Sequence, residues 1–157
     1  MATKFYVTTP IFYVNAPPHM GHAVAFTIAD TLARAHRLLG DDTYFLTGTD
    51  EHGGKIARAA DAANKTPQKF VDEMSELFRV LTNELHGSHD QFIRTSDTKN
   101  HQPGAVALWE ALVASRDMYR AEYEGLYCVG CEAFVTEHEL VDGKCPLHDQ
   151  VPEHLKE

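Results

Sequence analysis

Three groups of residues in this chain have types and spacings that can do chemistry. The first is His19-Met20-Gly21-His22, two imidazoles three positions apart around a glycine. On a helical turn that spacing puts both rings on one side. At a helix N-terminus the backbone N–H groups are unpaired and the dipole is positive, which suits phosphate. Either ring can donate to a phosphate oxygen, and the pair can stabilise charge that builds at phosphorus during attack. Gly21 lets a ligand lie close to the backbone. The plainer assignment is a helix cap or two solvated side chains.

The second group is Gly48-Thr49-Asp50-Glu51-His52-Gly53-Gly54, where Asp50 follows directly on an apolar run. A carboxylate there is costly without a partner. It either caps the helix that follows or accepts hydrogen bonds from a substrate ammonium. The third group is Cys128-Val129-Gly130-Cys131 and Cys145-Pro146-Leu147-His148, two matched pairs separated by 13 residues. Tetrahedral zinc takes four N or S ligands, and paired knuckles of this spacing supply them. Gly130 and Pro146 favour the tight turns that face both ligands of a pair inward. Buried thiols or a redox C-x-x-C are the alternatives, but a redox motif does not account for a second pair ending in histidine. Four protein ligands leave no open position, so such a metal is structural.

Composition narrows the class. The chain has 157 residues, 43% hydrophobic and 24% charged, with a net charge of −9. That describes one globular domain or slightly more. No apolar run reaches the roughly 18 residues of a membrane span, and no secretory signal pattern opens the chain. Residues 118–157 hold nine acidic and three basic groups, so nucleic acid is not attracted by bulk charge. Three cysteines clustered with a histidine suit a reducing, cytoplasmic compartment and a metal.

The elements that must position these groups read as follows. Lys4–Thr8 is a strand, and Pro10, Pro17 and Pro18 forbid regular structure after it. Met20 to Leu39 is a helix with Met20, Val24, Ile28 and Leu32 on its apolar stripe and Asp30, Arg34 and Arg37 on its polar face. Thr43–Thr47 is a buried strand with a loop from Gly48 to Gly54 after it. An Ala-rich helix runs to about Asn64. A helix capped by Thr66-Pro67 has Phe70, Met74, Leu77, Phe78, Leu81 and Leu85 as its stripe. Gln91–Arg94 is a strand, and a helix spans about Pro103–Ser115 with Trp109 in the core. Alternating strands and helices imply a parallel sheet, with ligands at the carboxyl ends of its strands. From Met118 the pattern changes to a short strand at Tyr119–Tyr123, the cysteine cluster and a charged tail, so a domain boundary is placed near residue 117.

These residues together resemble the class I aminoacyl-tRNA synthetases, most closely the methionyl branch. His19-Met20-Gly21-His22 resembles the class signature, and Gly48-Thr49-Asp50-Glu51-His52-Gly53 matches the methionyl pattern. Thr9-Pro10-Ile11-Phe12-Tyr13-Val14-Asn15 resembles the methionyl substrate loop. The cysteine–histidine knuckle resembles the single-zinc form of the connective insertion. The likeness covers residues 4 to about 152. It implies an α/β fold: residues 1–117 as the first half of a Rossmann-like parallel sheet with helices on both faces, and 118–157 as the start of the insertion. It implies ATP-dependent activation of methionine to methionyl-adenylate and transfer to tRNA. His19 and His22 would be catalytic, with Asn15 and Gly21 also against ATP. Ile11, Tyr13 and Asp50 would bind methionine. Zinc would sit on Cys128, Cys131, Cys145 and His148, and magnesium would accompany ATP.

The family's lysine loop, the second half of the sheet and the anticodon domain do not occur in these residues. The chain therefore reads as an N-terminal part of a longer enzyme, with little ligase activity alone. Two alternatives stand beside it. One is another class I synthetase such as cysteinyl, whose zinc keeps an open position in the substrate pocket. The other is a zinc-containing nucleotide-binding or interaction module without catalysis.

Overall fold

The computed structural model describes residues 2–157. They divide into two compact units, one ending at Leu108 and the other running Trp109–Glu157. The first unit is built on β1 (Lys4–Thr8), β2 (Phe12–Tyr13), α1 (Met20–Leu38), β3 (Asp42–Asp50), α2 (Gly54–Ala62), α3 (Pro67–Glu84) and β4 (Gln91–Arg94). All pairings are parallel, as expected. Leu46 lies opposite both Thr8 and Gln91, and Thr49 lies opposite both Phe12 and Arg94. Hence β1 and β2 share one edge of β3, and β4 takes the other.

Pro10 interrupts the first edge without ending it. Phe12 and Tyr13 resume pairing with Thr49 and Asp50, so a strand occurs where the prolines were expected to exclude one. For the same reason β3 is longer than Thr43–Thr47. Gly48, Thr49 and Asp50 belong to the strand and not to a loop, because partners exist on both edges. An added Cβ on Gly48 would lie 2.0 Å from the Ile93 carbonyl oxygen; only glycine lets β4 come that close.

One core holds the unit together. Phe12 and Phe45 from the sheet and Val14 from the turn after β2 meet Phe26, Ala29 and Ala33 of α1, Ile56 and Ala60 of α2, and Phe70, Val71 and Phe78 of α3. Phe45 and Thr47 are buried on that face, while Tyr6 and Tyr44 stack on the other with much of their surface exposed.

Helix burial departs from the expected stripes. Met20, Val24, Ile28 and Leu32 of α1 are exposed, and Asp30 is buried. Small residues decide the matter: Ala29 and Ala33 let the helix lie close to the sheet beside Phe26, which the larger stripe would prevent. Asp30 is satisfied by Ser88 N and Oγ, both at 2.7 Å, and by Arg34 Nε at 2.5 Å. On α3 the buried line is Phe70, Val71, Ser75, Phe78 and Thr82, while Leu77 and Leu85 are exposed. Thr66 caps α3 as read, its Oγ1 accepting from Lys69 N.

Helix α4 (Gln102–Ala114) crosses the chain position where the units divide. It has no buried residue, and Trp109, expected in the core, is 59% exposed. The second unit is an antiparallel sheet of β5 (Glu124–Cys128), β6 (Ala133–Val135) and β7 (Glu153–Lys156), in the order β6-β5-β7. No strand forms at Tyr119–Tyr123; main-chain pairing begins where Tyr123 and Glu157 exchange hydrogen bonds at 2.9 and 2.8 Å, and the charged tail supplies β7 because β5 offers it a ladder edge. Tyr123 and Tyr127 pack their edges against Phe134.

Candidate functional site

The N-terminus of α1 is built by its own histidines. His19 is the N-cap, and its Nδ1 accepts from Gly21 N at 3.1 Å. His22 reaches back, its Nδ1 accepting from His19 N at 3.0 Å. The two rings lie 3.9 Å apart between centroids. A Cβ on Gly21 would sit 2.9 Å from His19 Cε1, so the glycine makes room for the capping ring itself. Both Nδ1 atoms act as acceptors, which assigns the proton of each neutral ring to Nε2. Two Nε2–H donors thus remain for an anion at a helix N-terminus. Burial, and secondarily the neighbouring His19, lowers the His22 pKa from its ordinary value. The His22 ring is held edge-on by Phe12 and Phe78 at 5.2 and 5.0 Å.

Tyr13 and Asp50 are register partners at the end of β2 and β3, so their side chains share one face of the sheet. Asp50 Oδ1 also faces His52 N at 3.4 Å. Helix α2 takes Gly53 as N-cap without a side-chain bond, so Asp50 is not that helix's cap. Ile11 is 44% exposed and Asn15 lies in the exposed turn after β2. The fold therefore gathers His19, Gly21 and His22 in one helix turn, and sets Tyr13 beside Asp50 at the carboxyl ends of parallel strands.

Sequence reasoning missed the group behind Asp50. Glu51 has a fully buried side chain paired with Arg94, and Thr49, Ser75, Thr95 and Ser96 join the same network. Burial raises the Glu51 carboxyl, but hydrogen bonds from Arg94, Ser96 and Thr49 outweigh it and hold the pKa below its usual value. No spacing rule links Glu51 to Arg94; only parallel pairing brings them together.

The second unit carries a cysteine–histidine cluster that can hold a metal. Cys128, the last residue of β5, and Cys131 flank the turn into β6, while Cys145 and His148 form a second turn closed by Asp149 N on Cys145 O at 2.8 Å. All four donor atoms lie within 4.8 Å of one another. Cys131 Sγ is 3.5 Å from Cys145 Sγ and 3.4 Å from His148 Nδ1, and Cys145 and Cys128 Sγ lie 3.7 and 3.9 Å from that nitrogen. A tetrahedral zinc with ordinary bond lengths needs S···S near ~3.8 Å and S···N near ~3.6 Å, so the donor set fits. None of the three cysteines is in a disulfide. The hydrogen bond from His148 lowers the Cys145 pKa to about 6, while the neighbouring thiols, Cys145 first, raise Cys131 to about 11. Three sulfurs this close cannot all ionise unaided, and a divalent cation resolves that conflict. Each knuckle ends in a residue of left-handed backbone, Glu132 at φ 52° and Asp149 at φ 48°. This cluster can hold a metal.

Comparison with known proteins gives the class first. The family described as tRNA synthetases class I (M) matches residues 5–154, and the chain belongs to that family. Its similarity is to the methionine enzymes, as the motifs implied. It is 48% identical over 149 residues to the chloroplastic/mitochondrial methionine–tRNA ligase of Arabidopsis thaliana, covering 94% of this chain and 24% of that protein. It is 47% identical to methionine–tRNA ligase of Campylobacter jejuni, covering 97% and 24%. The solved methionyl-tRNA synthetase of Mycobacterium tuberculosis, bound by methionyl-adenylate, superposes with a TM-score of 0.91 at 40% identity, covering 99% of this chain and 31% of that one. The chain thus spans about a quarter of the length of these curated relatives. No described helix is long and apolar enough to cross a membrane.

Proposed function

We propose that this chain is the N-terminal part of a methionine–tRNA ligase. The observation that carries the reading is the 48% identity sustained over 94% of the chain, across a fold that sets a double-histidine helix terminus and Asp50 at the same sheet ends. In the reaction, a methionine carboxylate oxygen attacks the α-phosphorus of ATP; the acyl–phosphate bond forms and pyrophosphate leaves. His19 and His22 donate hydrogen bonds from Nε2–H to the phosphate oxygens as charge builds there. Gly21 and Asn15 lie against the nucleotide. Asp50 accepts from the α-ammonium, and Ile11 and Tyr13 line the pocket for the thioether side chain. Magnesium, when bound with ATP, neutralises phosphate charge. The methionyl group then passes to tRNA.

In this reading residues 1–117 form the first half of the catalytic nucleotide-binding domain and 118–157 begin the connective insertion. The exposed apolar stripe of α1 supports it, since a second half would cover such a surface. Cys128, Cys131, Cys145 and His148 hold one structural zinc. Their closed set of four argues against a cysteinyl enzyme, whose metal needs an open position. A cytoplasmic location belongs to the same reading and rests on the free thiols. The test is calorimetric titration of the zinc-loaded chain with methionine. Saturable binding that is lost in Asp50→Ala supports the assignment. Binding that Asp50→Ala leaves intact overturns it.

A further inference from the structure

At Asp50 the main-chain ladder of β3 continues on one edge only: Tyr13 pairs with it on the β2 side, where Asp50 O accepts from Val14 N at 3.3 Å, while pairing to β4 has already ended. On the β4 side the last paired residues are Thr49 and Arg94, followed by Thr95 N donating to Thr49 O at 3.1 Å. Beyond that point side chains take over. Glu51 N donates to Thr95 Oγ1 at 2.8 Å. The Glu51 carboxylate accepts from Arg94 Nε at 2.6 Å and Nη2 at 2.9 Å, from Thr49 Oγ1 at 2.7 Å, and from Ser96 Oγ. Arg94 Nη2 also reaches Asp72 of α3 at 2.5 Å. Both neighbours of Asp50 are therefore tied into a buried network, while Asp50 sits on the opposite face beside Tyr13.

A buried ion pair is a poor source of net stability; apolar residues of similar volume often serve as well. What a two-pronged guanidinium–carboxylate contact adds is fixed direction. We propose that Arg94 is a positioning residue for substrate recognition: through Glu51 it holds the end of β3 so that the Asp50 carboxylate faces the α-ammonium of an amino acid. The role rests on the reading of Asp50 given above. Because its charge is matched by Glu51 and Asp72, Arg94 anchors the strand end from the buried side and leaves recognition of the ammonium to Asp50.

The test replaces the pair by apolar residues, Glu51→Leu with Arg94→Met, in the full zinc-loaded chain. Amide exchange at Glu51 and His52 is expected to quicken at least tenfold while exchange at Phe26, Phe45 and Phe78 stays as before. The methionine dissociation constant is expected to rise at least tenfold. Unchanged local exchange, or unchanged methionine affinity, overturns the proposal. Arg94→Lys keeps a buried charge pair, and with it the fold, but loses the fork; it is expected to weaken methionine at least fivefold, and no loss in this variant also overturns the proposal. If Asp50→Asn binds methionine as the unaltered chain does, the reading of Asp50 fails, and the exchange rates still decide whether the pair holds the strand end.

Discussion

Gly130→Ala tests the proposed four-ligand zinc centre. A Cβ at this position would lie 2.3 Å from His148 Cγ, 2.5 Å from Cδ2 and 2.7 Å from Nδ1. Ordinary contact is near 3.5 Å or more, so the imidazole must retreat by roughly 1 Å. Metal-ligand distances tolerate only about 0.2 Å. His148 therefore either leaves the cluster or drags its knuckle with it. Structural zinc sites are worth about 10–16 kcal/mol; a quarter share for one ligand is about 2.5–4 kcal/mol. At 1.4 kcal/mol per decade that is a loss of roughly a hundred- to a thousandfold in zinc affinity. Competition with a chromophoric chelator measures it, and cobalt substitution reports whether nitrogen still coordinates. Affinity within about threefold of the unaltered chain would show that His148 is not a ligand, and the four-ligand centre would be refuted.

Two further perturbations follow from particular contacts. Gly48→Ala drives a Cβ to 2.0 Å from the Ile93 carbonyl, and backbone atoms cannot swing aside. A loss of at least about 2 kcal/mol is expected from urea midpoints, and a neutral result would mean that β4 does not pair at Ile93. His89 has a buried Nδ1 without a hydrogen-bond partner among the described residues, edge-on to Phe26, Phe45 and Phe92. Burial chiefly lowers its pKa, with Asp30 and Asp90 opposing and Arg79 assisting. The unfolded chain then binds more protons than the folded one just below the ordinary value of about 6.5. Stability is fully present above that pH and falls as pH drops towards the folded value. His22, with its lowered pKa, adds to the same fall. Melting temperatures between pH 7 and 5 should decline less steeply in His89→Phe; an unaltered slope would clear His89 of the effect.

Parts of the site lie in short stretches of chain, and these were legible. The N-cap and first turn of α1 involve only residues 19–22, so a local pattern placed them. The two cysteine knuckles are local turns as well, and matched spacing told where four donor side chains would converge. Helix stripes misled for a physical reason. Periodicity finds an apolar arc but not its partner: α1 buries Ala29, Ala33 and Asp30 and leaves Met20, Val24, Ile28 and Leu32 outside. Strand length misled too, since Phe12–Tyr13 form a strand only by finding Thr49 and Asp50, and Gly48 and Thr49 extend β3 by pairing with Ile93 and Arg94.

The sequence by itself determined the alternation of strands and helices over most of the first unit, the histidine pair at the phosphate-suited helix end, the four residues of the cysteine–histidine cluster and the family. Those rest on interactions between residues close along the chain, or on motifs that are read directly. Tertiary structure alone decided that Tyr13 stands beside Asp50, and that Gly130 must be glycine because His148 folds over it. It also decided that Glu51 is buried in the grip of Arg94. Each of these depends on where a distant segment comes to lie, and that is settled by close packing and strand pairing, not by the local preferences of a residue.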